Sequence, residues 1–166
     1  MKKIITILAV VGIFSFQSCT VTEDRPIVDN DTISEVFEVT TSFNSTNNYA
    51  KLVSFNPSIY TSDVVLVYRL SGVIQGQDLW KLLPETHYFS NGTLDFGYDF
   101  DFTKNDVNIY MIGNDLQTVS TDFRVNQVLR IVIVPASFAN SFDTNNYAAV
   151  ISALNINESQ IQKINF

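Results

Sequence analysis

The amino-acid sequence predicts an all-β domain, an antiparallel β-sandwich of immunoglobulin-like or jelly-roll-like type with a short C-terminal helix. Residues 63–70 and 128–134 are continuous apolar runs, which are typical of strands buried on both faces. Residues 94–102 alternate aromatic and polar side chains with the period of two that a half-buried strand requires. Since periodicity does not show whether a sheet closes, a small closed β-barrel is the alternative architecture.

Short turns are expected between the other strands. Residues 33–43, rich in Val, Phe and Thr, predict the first strand. Asn91-Gly92 predicts a two-residue hairpin turn with positive φ at both positions, leading into the strand 94–102. A further turn then leads to a strand over residues 107–112, so that the middle of the chain forms a meander.

The C-terminal part changes to a helical period. Asn145 or Asn146 is expected to cap a helix whose apolar stripe lies across the sheet or closes one end of it. Pro135, before it, predicts a short turn or 3₁₀ piece. The stripe has the i, i+3, i+4, i+7 spacing of Tyr147, Val150, Ile151 and Leu154. The terminus itself is expected to dock through Ile161, Ile164 and Phe166.

Composition and charge exclude several classes of function. The formal net charge is −7, and the arginines and lysines form no cluster in the sequence. Such a surface repels phosphate backbones, so nucleic acid is not an expected partner. The chain contains neither a Gly-x-Gly-x-x-Gly motif after a strand nor a Walker loop. We therefore expect no nucleotide and no cofactor.

The N-terminal residues predict export and lipidation. Two lysines precede an apolar run over residues 4–16, which is the pattern of a secretory leader and is shorter than the ~20 residues that span a bilayer. The following Ser18-Cys19 resembles the lipobox of bacterial lipoproteins, in the looser form found in Bacteroidota. Phe16 and Gln17 depart from the usual Leu and small residue of that motif.

The lipobox resemblance implies diacylglycerol on the Cys19 sulfur and acylation, for example with palmitate, of the new amino terminus. The predicted organisation is a signal peptide over residues 1–18, a lipidated acidic tether over 19–32 and a single β-rich domain over 33–166. The expected address is the cell envelope, at the outer membrane, with the periplasmic or surface-exposed face left open. A conventional export leader with Cys19 as a free thiol is the alternative. Thr32 and its two neighbours resemble an O-glycosylation signal of exported Bacteroidota proteins.

Residues that could carry catalysis are few. His87 is the only histidine, so a metal site with two imidazole ligands is excluded, and we assign no catalytic or metal-binding residue. Asp99 and Asp101 lie on one face of a predicted strand, ~7 Å apart, which is within the range that glycoside hydrolysis uses. A carboxylate-based hydrolase is therefore a minor alternative. Alternating aspartates on a solvated strand face are the simpler explanation.

Trp80, Tyr60 and Tyr88 are candidates for a ligand platform, because exposed aromatic rings can stack on a sugar or a peptide. Aromatic rings more often fill a core. The aromatic content of 13% suits a sandwich that needs large core side chains.

Four runs resemble a family of small, uncharacterised lipoproteins of flavobacteria (Bacteroidota): VLVYRLSG from residue 65, DLWKLLP from residue 78, QVLRIVIVPASF from residue 127 and NNYAAVISAL from residue 145. The resemblance implies an envelope address and adds no catalytic residue. The sequence as a whole favours a non-enzymatic interaction or structural domain, held at the membrane by its lipid, whose partner is an envelope protein or a glycan. A carbohydrate-binding or adhesion module is the alternative.

Overall fold

The computed structural model describes residues 34–164. The predicted leader, Cys19 and Thr32 lie outside this range. Within it, nine strands form two sheets, and their bounds are β1 Glu35–Thr41, β2 Ala50–Ser54, β3 Asp63–Ile74, β4 Gln77–Leu82, β5 Glu85–Tyr88, β6 Leu94–Phe102, β7 Asp106–Gly113, β8 Gln127–Pro135 and β9 Gln162–Ile164.

The five-stranded sheet has the order β4-β3-β8-β1-β9, and the four-stranded sheet has the order β2-β7-β6-β5. Neighbouring strands are antiparallel except β1 and β9, which are parallel. Each sheet keeps two edges, so the sandwich prediction is confirmed and the closed barrel is not the observed architecture. No helix within residues 34–164 has the length and apolarity to cross a bilayer.

β3 and β8 are buried on both faces, as their apolar runs predicted. Their inward side chains, such as Val67 and Ile131, belong to the core between the sheets. Their outward side chains, such as Leu66 and Val132, belong to a second core on the other side of the five-stranded sheet. A strand between two apolar layers needs apolar residues at consecutive positions, which explains the absence of alternation.

β6 shows the predicted alternation. Phe96 and Tyr98 point into the core between the sheets, whereas Asp99 and Asp101 lie on the opposite face. Phe102 departs from the prediction, since it is 41% exposed at the end of the strand. The core therefore ends before the strand does.

The β5–β6 hairpin exists, but its predicted turn type is wrong. The Phe89 amide donates to the Thr93 carbonyl, and the Gly92 amide donates to the Phe89 carbonyl, each at 2.9 Å. Gly92 has a φ of +85°, and Asn91 is not among the residues with positive φ. The loop is therefore a three-residue connection with a glycine in the left-handed position.

The C-terminal helix spans Tyr147–Ala153 and covers the outer face of the five-stranded sheet. The side chain of Asn146 caps it by accepting a hydrogen bond from the Ala149 amide at 3.1 Å. After Pro135 the chain forms a four-residue α-helix, Ala136–Ala139, where the sequence predicted a turn or 3₁₀ piece. The terminus docks as predicted, because Ile161 is buried and β9 pairs with β1. Phe166 lies outside the described residues.

Candidate functional site

A buried ion pair joins the two sheets at the side where β4 and β5 form their edges. The Arg69 guanidinium on β3 donates to both carboxylate oxygens of Glu85 on β5, at 2.8 and 2.9 Å. Arg69 also donates to the side-chain oxygen of Gln127 at 3.1 Å. Lys81 and His87 approach one Glu85 oxygen at 3.3 and 3.0 Å. Three polar side chains, those of Arg69, Lys81 and His87, thus surround the Glu85 carboxylate.

The Glu85 carboxylate faces two cations, Arg69 and Lys81. Burial raises the pKa of Glu85, but the hydrogen bonds and charge of Arg69, followed by those of Lys81, outweigh burial and leave that pKa below its ordinary value. His87, the sole histidine, stacks on Phe96 with 4.3 Å between ring centroids. Its ring is therefore part of the packing as well as of the polar cluster. The arrangement holds two sheets together.

A second buried arginine lies on the outer face of the five-stranded sheet. Arg130 on β8 donates to Glu38 at 3.0 Å and to Glu158 at 2.7 and 2.8 Å. It also donates to the Tyr147 hydroxyl, and its guanidinium lies 4.1 Å from the centroid of the Trp80 ring. Burial by itself lowers the pKa of Arg130, but the hydrogen bonds to Glu158 and Tyr147 have a larger, opposite effect. The pKa of Arg130 is therefore raised above its ordinary value.

Strand register places this arginine in a row that crosses all five strands of the sheet. Tyr68 and Glu38 flank Arg130 on β3 and β1, and the outer members of the row are Leu82 on β4 and Lys163 on β9. Lys163 also reaches Glu38 at 3.1 Å. The charged members of this row connect β1, β8 and β9 beneath the C-terminal helix.

Both arginines were missed as site residues at the level of the sequence. A signal was present, because each interrupts an otherwise apolar run, in VLVYRLSG and VLRIVIVP. A charge in a strand that is buried on both faces must be paired. The identity of the partner depended on which strands lie side by side.

The aspartates considered for hydrolysis project from the outer face of the four-stranded sheet. On the neighbouring strand β7, Tyr110 lies opposite Asp99 and Asn108 lies opposite Asp101. β7 therefore presents no carboxylate opposite either aspartate. Residues 34–164 contain no group of three or more His, Cys, Asp or Glu side chains arranged to hold a metal ion.

The structure places the three aromatic candidates apart. Tyr60 borders a groove of about 260 Å³ together with Phe102, at the end of β6. Tyr88 is paired with Leu94, at the start of β6, so roughly 25 Å of strand separates these two tyrosines. Trp80 lies on the five-stranded sheet. They do not form one platform.

Trp80 is part of a separate groove with mixed polar and aromatic walls. The groove has a volume of about 350 Å³. Strand β4 and the turn before the C-terminal helix form it, and its lining residues are Asp78, Leu79, Trp80, Asp143, Asn145, Asn146, Tyr147 and Ala148.

One end of the sandwich carries most of the exposed apolar side chains. The Arg69–Glu85 ion pair aligns β3 with β5, and from it β3 continues to Ile74 and β5 continues to Tyr88. Tyr60 and Phe102 share a groove at the opposite end of the sandwich. The β3–β4 and β5–β6 hairpins therefore project from the same end. Of the eleven exposed large apolar residues within residues 34–164, seven lie there, and we call this surface the hairpin end: Val73, Ile74, Leu79, Tyr88, Phe89, Leu94 and Val125.

These features define the chain as a two-sheet β-sandwich with a helix-covered outer face and an apolar end. A scan of protein-family models, a search of curated proteins and a search of solved structures each returned no match to the chain.

Proposed function

We propose that this protein is a lipid-anchored, non-enzymatic interaction domain of a bacterial cell envelope, and that the hairpin end binds a partner protein. The leader, with Cys19 at its expected cleavage site, supports the anchor and an address at the outer membrane. The observation that carries the interaction role is the concentration of exposed apolar side chains at one end of the domain.

The composition of the hairpin end favours a protein partner. Val73 and Tyr88 are each 61% exposed and Phe89 is 53% exposed. Soluble domains rarely leave such side chains grouped on the surface unless a partner covers them. Aromatic residues on a rigid hairpin lose little conformational entropy on binding and are frequent in the energetic centres of interfaces.

The position of the hairpin end supports the same proposal. β1 starts at the opposite end of the sandwich, since Glu35 is paired with Ile133 near the end of β8. Thr41, at the other end of β1, is paired with Gln127, which hydrogen-bonds to Arg69 below the hairpins. Within the described residues, β1 therefore begins away from the hairpin end and does not cover the apolar hairpins.

Mass spectrometry of the protein from its native membrane tests the anchor. The expected mass is that of the chain from Cys19 onwards with its acyl groups. A soluble chain with a free Cys19 thiol would refute the anchored part of the proposal.

Site-specific photo-crosslinking in the native host tests the interaction surface. A photoreactive phenylalanine analogue at Phe89 is compared with the same analogue at Leu52, which is 56% exposed on the four-stranded sheet and serves as the matched control. A discrete protein adduct is expected from position 89 and none from position 52. Equal adducts from both positions, or none from position 89, contradict the role of the hairpin end.

A further inference from the structure

The Trp80 groove has the size and rigidity of a small ligand site. Its volume of about 350 Å³ lies within the range of ligand clefts, which is about 300–1,000 Å³. Trp80 and Tyr147 stand side by side, with 5.2 Å between their ring centroids. Arg130 holds both rings, since its guanidinium lies 4.1 and 5.2 Å from their centroids. The aromatic surface is thus oriented before any ligand arrives, which reduces the entropic cost of binding.

The polar wall of the groove is also fixed in position. The Asn145 backbone amide and side-chain amide both donate to one oxygen of Asp143, at 3.0 and 3.1 Å. The buried Tyr68 hydroxyl donates to the Thr144 carbonyl at 2.6 Å and ties this turn to the sheet. Asn146, which follows Asn145, caps the helix. The carboxylate of Asp143 is therefore presented at a defined place beside Trp80.

The charges around the groove discriminate between classes of ligand. No lysine, arginine or histidine is among its lining residues, and Asp78 and Asp143 form no ion pair within the part of the chain described. Carboxylates repel phosphate and other anions. Arg130 already lies over the indole ring, so the ring face that it covers is not available for a cation–π contact with a cationic ligand.

We infer that the groove binds a neutral saccharide. A sugar ring has an apolar face that packs on an indole and a rim of hydroxyl groups that donate to carboxylate and amide oxygens. Trp80 supplies the first surface, and Asp78, Asp143 and Asn145 supply the second. This inference does not depend on a protein partner at the hairpin end, and its test uses different residues.

Trp80 is the only tryptophan in the chain, so its fluorescence reports on this groove alone. The folded domain is titrated with four neutral hexasaccharides: maltohexaose, xylohexaose, mannohexaose and chitohexaose. At least one is expected to change Trp80 emission along a saturable curve. Asp143→Asn is expected to weaken that binding about tenfold, the size of one charged hydrogen bond. Asp101→Asn, on the other sheet, is the matched control and is expected to leave binding unchanged.

Either of two results overturns the inference. One is the absence of a saturable change with all four hexasaccharides while circular dichroism shows a folded domain. The other is a change with Nα-acetyl-lysine amide and none with the sugars, which identifies a cation site. Since replacement of Trp80 removes a ring that stacks on Arg130, the Asp143 variant provides the decisive comparison.

Discussion

Replacing Glu85 with glutamine removes the charge that balances Arg69 in the interior of the sandwich. Arg69 is 4% exposed and Glu85 6% exposed, and the pair is bidentate at 2.8 and 2.9 Å. In the variant, Gln127 remains as an acceptor for Arg69, but the positive charge stays buried without a counter-charge, beside Lys81. Breaking a buried pair from one side costs about 3–5 kcal/mol. For a domain of ordinary stability, about 5–15 kcal/mol, this is a large share.

The structure supplies a matched control for this substitution. Glu158 also binds an arginine, Arg130, at 2.7 Å, but its own side chain is 62% exposed. Because Glu158 is exposed and Glu38 remains as a counter-charge for Arg130, Glu158→Gln is expected to cost several-fold less than Glu85→Gln. Urea unfolding followed by far-ultraviolet circular dichroism measures both free energies. Equal costs for the two variants would show that burial of the Arg69 pair is not what matters.

The same pair predicts a pH dependence of stability. The pKa of Glu85 in the folded domain is lowered, because the hydrogen bonds and charge of Arg69 outweigh the effect of burial. A group with a lowered folded pKa stabilises the fold above its unfolded pKa, about 4.3, and that contribution is lost as the pH falls through the folded value. The stability difference between the natural domain and Glu85→Gln is therefore expected to be largest at neutral pH and to shrink in acid.

Three further substitutions test separate features of the fold. Burial raises the pKa of Tyr98 to about 12, so its stabilising contribution is expected to be lost between about pH 10 and pH 12. Urea unfolding at both pH values is expected to show that Tyr98→Phe loses less stability over this interval than the natural domain does. Gly92→Ala is expected to cost about 1–2 kcal/mol because its φ is +85°, whereas Gly72→Ala, with open space around the new methyl group, is its control. Asn146→Ala is expected to cost about 1 kcal/mol through loss of the helix cap, and an unchanged thermal midpoint would contradict the capping role.

The sequence predicted those elements whose side chains report their surroundings directly. β3, β6 and β8 were expected near their observed positions, because two-sided or one-sided burial leaves its own pattern. β4 was not predicted as a strand. It pairs with β3 through a turn in which Gln75 and Gly76 both have positive φ, at 52° and 79°. Two consecutive residues with positive φ, which were expected at Asn91-Gly92, are therefore found at Gln75-Gly76, a pair with a weaker sequence signal for such a turn.

Features that depend on distant contacts could not be predicted. β9 has three residues, and its parallel pairing with β1 leaves no local periodicity. Trp80 was a candidate platform residue, but Asp143 and Asn145 become its neighbours only because the C-terminal helix folds back over the sheet. The lipid on Cys19 and the glycan on Thr32 stay predictions.

The position of β1 in the sheet has a consequence for the order of folding. β1 is the first strand of the described residues, yet both of its neighbours, β8 and β9, lie within residues 127–164. The five-stranded sheet cannot be completed until β9 is available, and such distant pairings form slowly. The pairings of β1 are therefore expected to form late in folding.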